Sequence, residues 1–244
     1  MKTKLLAFSS SRVGNSSYLA TAVAPIHEFL GDKALQVAFI PFASVNTDYE
    51  AYTNNVRKAL TDLPYTIETV NTNNAPDVIE KADAIMVGGG NTFKLLHNMY
   101  ELQLIEAVKQ KILNGTPYIG WSAGSNIAGA TIRTSNDMPI INPGTFNALG
   151  FLPFQINPHY YNQPVEGFNG ETRDQRLAEF IQLNPKELVV ALPEGTALLL
   201  NGGKLELTGM ANAFLLSWQN DSLVKKELIP GDDMSFLVDC KSQE

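Results

Sequence analysis

The chain is poor in sulfur, in imidazole and in positive charge, and each shortage closes off a class of function. Its one cysteine, Cys240, excludes an internal disulfide and suits a reducing cytoplasm, which is the expected location. Three histidines, His27, His97 and His159, are too few beside that single thiol for a His/Cys metal site, so neither metal nor cofactor is expected. Lysine and arginine number 18 against 25 aspartates and glutamates, a formal net charge of −7, and no basic run occurs. That argues against nucleic acid and against an anionic membrane surface as partners. No window approaches the apolar length of a membrane span, and the opening run Leu5-Leu6-Ala7-Phe8 is too short for a signal peptide. What is present, 44% hydrophobic and 18% charged residues over 244 positions, is the profile of a globular chain able to bury a substantial core.

Apolar runs at 4–9, 34–41, 65–70, 84–87 and 117–121 read as strands. Between them, 18–30, 47–60, 76–82 and 93–114 read as helices, the last as one helix or two. Strand–helix alternation with connections too long for hairpins is the signature of βαβ units. The fold class expected is therefore α/β, a doubly wound, mostly parallel sheet with helices on both faces. Residues 130–170 turn irregular and rich in Pro, Asn and Gly, and loops that long tend to be functional. A helix over 171–183, a buried strand over 188–192 and a tail with a hairpin turn at Asn201-Gly202-Gly203-Lys204 follow. The tail reads as a small antiparallel extension on the sheet edge. No linker or repeat interrupts residues 1–244, which form one domain.

The pentapeptide Gly120-Trp121-Ser122-Ala123-Gly124 lies between an apolar strand and a small-residue stretch, 125–130, compatible with a short helix. A serine on so tight a turn has its hydroxyl lifted above the sheet, and flanking glycines let the backbone crowd in. A following helix would aim its N–H groups at charge developing beside the serine. After the preceding strand comes Gly88-Gly89-Gly90-Asn91-Thr92. It fits neither dinucleotide nor P-loop patterns, and reads as a tight turn or as exposed N–H groups for an oxyanion hole. If Ser122 is a nucleophile it needs a base, and His159 stands apart from the other two histidines. His27 and His97 fall in helices, whereas His159 closes the run Ile156-Asn157-Pro158-His159 in the irregular segment. Its tautomer would be held by a carboxylate, either Glu194 in Pro193-Glu194-Gly195 or Asp137 in Asn136-Asp137-Met138-Pro139.

Together with Thr131-Ile132-Arg133-Thr134, Gln155-Ile156-Asn157-Pro158-His159 and Gly170-Glu171-Thr172-Arg173, these stretches resemble the peptidase E family. Those proteins are aspartyl dipeptidases, serine peptidases on the class I glutamine amidotransferase-like fold. The resemblance runs from the first strand to about Gly195. It implies Ser122 as nucleophile, His159 as base, Glu194 as acidic member, and an oxyanion hole from Gly88, Gly89, Gly90 and the Ala123 N–H. Asp137 lies in a family motif too, so the histidine's partner stays open between it and Glu194. The implied substrate is a small dipeptide with an N-terminal aspartate. An acidic protein binding an acidic substrate needs a local cation, for which Arg173 and then Arg133 are the candidates; Asn91 is a further candidate for substrate contact. Two alternatives remain: a serine hydrolase acting on an isoaspartyl or cyanophycin-like amide, and a non-catalytic amidotransferase-like binding module. Oligomeric state, a homodimer included, is left open.

Overall fold

The chain order of strands and the handedness of their connections decide the layering. The computed structural model describes residues 3–163, 166–167 and 169–239, so Cys240 lies outside the described residues. Five strands run parallel, β1 (Lys4–Phe8), β2 (Leu35–Ile40), β3 (Tyr65–Thr69), β4 (Ala84–Val87) and β5 (Tyr118–Trp121), in the spatial order β3-β2-β4-β5-β1. The chain walks from β1 out to the β3 edge and then back. Right-handed crossovers therefore put α1 (Val23–Leu30) and α2 (Tyr49–Ala59) on one face. The return places α3 (Ala75–Lys81), α4 (Thr92–Glu101) and α5 (Leu104–Leu113) on the other. Alternate residues of each strand feed opposite cores, as a side-chain period of two requires. Leu6 and Phe8 pack with Ile26, Val56, Phe39 and Trp121, while Leu5 and Ala7 join Ile79, Leu95 and Val108.

Helix starts follow side-chain capping. Asp48 accepts the Ala51 N–H at 2.9 Å and Asn91 the Lys94 N–H at 3.0 Å. Thr172 and Gln175 form a reciprocal capping box at α7 (Arg173–Leu183). The helix expected over 18–30 forms only from Val23, because Leu19 takes φ 57° and its N–H bonds Ser11 across a turn.

The expected antiparallel edge is present: β8 (Thr196–Asn201) pairs with β1 and β9 (Lys204–Gly209) with β8, around the turn at Gly202-Gly203. The rest of the tail and the strand expected over 188–192 go elsewhere. With β8 occupying the free edge of β1, β7 (Val189–Ala191) pairs instead with β6 (Gln155–Asn157) and β10 (Ala213–Gln219). With β11 (Ser222–Leu228) they make a second, four-stranded sheet in the order β11-β10-β7-β6. Its face buries Tyr160, Leu177, Ile181, Val189, Ala191 and Leu216, so α7 belongs to this layer. Ser9, fully buried at the end of β1, joins the sheets: its hydroxyl donates to Leu192 O at 2.7 Å and accepts the His159 N–H at 2.9 Å. Two short helices complete the chain, α6 (Ala123–Asn126) after β5 and α8 (Phe236–Asp239) near the end. Among the described residues, no helix is long and apolar enough to cross a membrane.

Candidate active site

Because β5 lies between β1 and β4, the ends of these three strands bring Ser122, Ser9 and the Gly88–Gly90 turn together. Ser122 takes φ 53° and ψ −110°, a region non-glycine residues rarely occupy. The surroundings enforce it. The Ser122 N–H donates to Phe8 O at 3.1 Å, and the Ser122 carbonyl accepts from both Ser125 and Asn126 at 2.9 Å. A Cβ at Gly120 would stand 2.6 Å from the Gly124 carbonyl, and one at Gly124 only 2.2 Å from Val87 O. The spacing Gly-x-Ser-x-Gly is thus a backbone-contact requirement. His159 is a second strained residue, at φ 52°, and strain of this kind concentrates where side chains must be aimed.

The aim is at Ser122. His159 Nε2 lies 2.8 Å from Ser122 Oγ, and Nδ1 lies 2.8 Å from Glu194 Oε1. With the proton on Nδ1 donated to Glu194, Nε2 is free to accept from the serine hydroxyl. The side chains of His159 and Glu194 are 42% and 48% exposed, so a substrate and a water can reach them directly. The other two histidines have ordinary partners, His27 at Asp32 and His97 at Asn142 O.

The remaining expected residues divide. Gly88 drops out as an oxyanion donor, since its N–H is spent on Ile40 O at 3.1 Å. The N–H groups of Gly89 and Gly90 donate to nothing among the described residues, and Gly89 packs against Ser122, with Ser122 Cβ 3.1 Å from where its own Cβ would be. Ala123 is the first residue of α6, whose N–H has no acceptor within the helix. That helix has only 4 residues in place of the expected 125–130 stretch, so the N–H itself, not a macrodipole, faces any charge on the serine side. Asp137 is not at the histidine. Its Oδ2 accepts from Thr92 N at 2.7 Å and Thr92 Oγ1 at 2.5 Å, and Thr92 Oγ1 accepts from Asn126 at 3.0 Å. It ties the start of α4 to α6. Asn91 is likewise committed, capping α4 and donating to Met138 O at 2.8 Å.

The two arginines also part. Arg133 is neutralised by Glu187 at 2.6 Å, bonds Asn184 at 2.8 Å and stacks on Phe180. The Arg173 side chain makes no hydrogen bond or ion pair among the described residues. Burial, with Arg176 adding like charge, pulls its guanidinium below the usual range, while neighbouring Tyr160 opposes. Among the described residues Arg173 is a half-buried cation with no acidic partner, beside the residue that follows His159. Its setting is held by a network that the sequence reading missed. Lys225 on β11 donates to Tyr160 at 2.5 Å and to Asp174 at 2.8 Å, Tyr160 donates to Asp174, and burial pushes the Tyr160 phenol up. Ser9 was also missed; that the first strand pairs with the elbow strand, which brings Ser9 to the site, is decided by the sheet.

Comparison with known proteins places this architecture among peptidases. The profile described as "Peptidase family S51" matches residues 5–208. A peptidase E of a Nostoc species is 44% identical over 243 residues, 99% of each chain. A peptidase E of Haemophilus influenzae is 46% identical over 218 residues, covering 88% of this chain and 100% of its own. The crystal structure of a peptidase from an acI-B1 actinobacterium superposes with a TM-score of 0.69 over 96% of this chain and 97% of its own, at 16% identity; the likeness there is one of fold.

Proposed function

The chain belongs to peptidase family S51, and from that premise we propose that it is a serine dipeptidase releasing an N-terminal aspartate through Ser122, His159 and Glu194. The observation that carries the proposal is the single imidazole bridging a strained serine and a carboxylate at 2.8 Å on each side. Ser122 Oγ attacks the scissile carbonyl while His159 Nε2 takes its proton. A base so positioned is worth about a hundred- to ten-thousandfold in rate. Negative charge gathers on the carbonyl oxygen, and the N–H groups of Gly89, Gly90 and Ala123 are the donors available to it. Removing one such donor costs about a hundred- to thousandfold elsewhere. The imidazolium, stabilised by Glu194, then protonates the leaving amine. Water, deprotonated by His159, attacks the aspartyl ester on Ser122 and returns the free serine.

Arg173 is the proposed partner of the aspartate side chain. The net charge of −7 repels an acidic substrate at long range, so selectivity has to come from one close, desolvated cation. Aspartate release from Asp-Leu, with Glu-Leu, Asn-Leu and the isoaspartyl peptide as controls, tests both parts. We expect cleavage of Asp-Leu alone, no turnover by Ser122→Ala, and a KM raised at least tenfold in Arg173→Ala with kcat less affected. Equal cleavage of Asn-Leu would remove the arginine from the account, and an active Ser122→Ala would remove the serine.

A further inference from the structure

Beneath the glycine-rich turn lies a chain of partly buried polar groups, Tyr18, Tyr52 and the indole of Trp121, that the reaction above leaves unused. Tyr52 of α2 donates its hydroxyl hydrogen to Gly89 O at 3.0 Å. The same phenolic oxygen accepts from Trp121 Nε1 at 3.3 Å and from the Tyr18 hydroxyl at 3.3 Å. One donor and two acceptor positions are a hydroxyl's full capacity, so Tyr52 has one orientation. Its ring is fixed as well, edge-on to Phe39 at 5.1 Å, with Phe39 stacked on Trp121 at 5.7 Å. Trp121 is the residue before Ser122. The bond from Tyr52 therefore connects the elbow strand to the turn that packs over the serine.

We infer that Tyr52 is a positioning residue that aims and polarises the Gly90 N–H for the oxyanion, an inference resting on the serine-peptidase reading above. The peptide between Gly89 and Gly90 is planar and trans, so its N–H points opposite to its C=O. Holding the Gly89 oxygen down toward the phenol turns the Gly90 N–H away from it, on the side of the peptide that has no protein acceptor among the described residues. The turn packs closely on its neighbour: Gly90 sits at φ 137°, with Ala43 O 2.4 Å from where a Cβ would be. Asn91 N–H is tied to the same Ala43 O at 2.8 Å. Hydrogen bonds in a chain reinforce one another. A donor on the Gly89 carbonyl makes the Gly90 N–H a stronger donor at its other end, and Tyr18 strengthens Tyr52 in turn. The phenol has to stay protonated for this, and burial pushes Tyr52 upward, out of reach of ionisation near neutral pH.

Tyr52→Phe keeps the ring and removes only the hydroxyl. The test measures kcat and KM for Asp-Leu, inhibition by an aspartyl boronate, which forms a tetrahedral anionic adduct on Ser122, and inhibition by free aspartate, which does not. We expect kcat to fall about tenfold, a fraction of the loss from deleting an oxyanion donor outright. Boronate affinity should fall by a similar factor, while KM and aspartate inhibition stay within about twofold. Tyr18→Phe, which leaves the Tyr52–Gly89 bond in place, should give a smaller loss of the same kind. Unchanged kcat and boronate affinity in Tyr52→Phe would overturn the proposal, as would a change in KM and aspartate inhibition alone, or a matching loss accompanied by a collapsed melting temperature. Wild-type protein that neither cleaves Asp-Leu nor binds the boronate would instead overturn the serine-peptidase reading, and this inference with it.

Discussion

Ser122 and its glycine-rich neighbours stand on the seven-stranded sheet, whereas His159 and Glu194 follow strands of the four-stranded one, and the two supports hold their side chains by different means. On the first, contact is nearly all. Backbones approach so closely at Gly120 and Gly124 that no Cβ fits, and the strands around them are fully buried on both faces. On the second, polar bonds dominate: Ser9 to the His159 N–H, Glu194 to the ring, and the Lys225–Asp174–Tyr160 network beside Arg173. A nucleophile must be held in a strained backbone, which only rigid packing can enforce. A base has to accept and return a proton and remain open to water, so it is held by partners that survive partial exposure.

The contrast can be broken from the steric side first, with the largest effect. Gly124→Ala drives a Cβ to 2.2 Å from Val87 O, backbone that cannot move without shifting β4. We expect a cost of more than about 3 kcal/mol and a melting temperature lower by roughly 6–12 °C for a chain this size, with activity lost alongside. An unaltered melt by circular dichroism would mean that the elbow is looser than its contacts imply. The polar side should behave in the opposite way. Glu194→Gln ought to lower kcat about a thousandfold or more through the wrong histidine tautomer while the melt stays put. Asp137→Asn, which weakens the anchor at the start of α4, should cost about 1–2 kcal/mol of stability and leave kcat within about tenfold. Were the two variants to exchange their effects, Asp137 would return as the histidine's partner.

An effect on kcat smaller than that of Glu194→Gln tests the joint. Ser9→Ala leaves the Leu192 carbonyl and the His159 N–H without their shared hydroxyl, at a cost of about 1–3 kcal/mol. It should slow kcat about tenfold, because a displacement on the order of 1 Å at a catalytic group is enough to do so. If kcat is unmoved while the melt falls, Ser9 joins the sheets without aiming the histidine.

Much of this was legible in one dimension because its causes are local. Apolar strands alternating with helices specify a mostly parallel sheet with helices on both faces, and the right-handed rule assigns each helix of the first half to a face once the strand order is known. Gly120, Ser122 and Gly124 announce themselves because a tight turn from a buried strand into a helix tolerates few residues. His159 was found by its setting at a strand end, away from the other histidines. What the sequence did not contain was any means of weighing contacts between residues far apart in the chain. Glu194 and Asp137 carry the same chemistry on similar loops, and only the course of β7 into a second sheet sets one 2.8 Å from the imidazole. Meanwhile Thr92 draws off the other at 2.7 Å. Arg133 stays a candidate behind Arg173 until Glu187 is found beside it. Gly88, Gly89 and Gly90 are identical letters, yet only the pairing of β2 with β4 spends the first N–H on Ile40 and leaves the other two unspent. Secondary structure and the mostly parallel α/β class follow from short-range sterics and hydrophobic period, which neighbouring residues encode, whereas strand order and the second sheet do not. Which charge is neutralised, which donor is already bonded and which carboxylate meets the histidine follow from long-range packing, and the tertiary structure alone decided them.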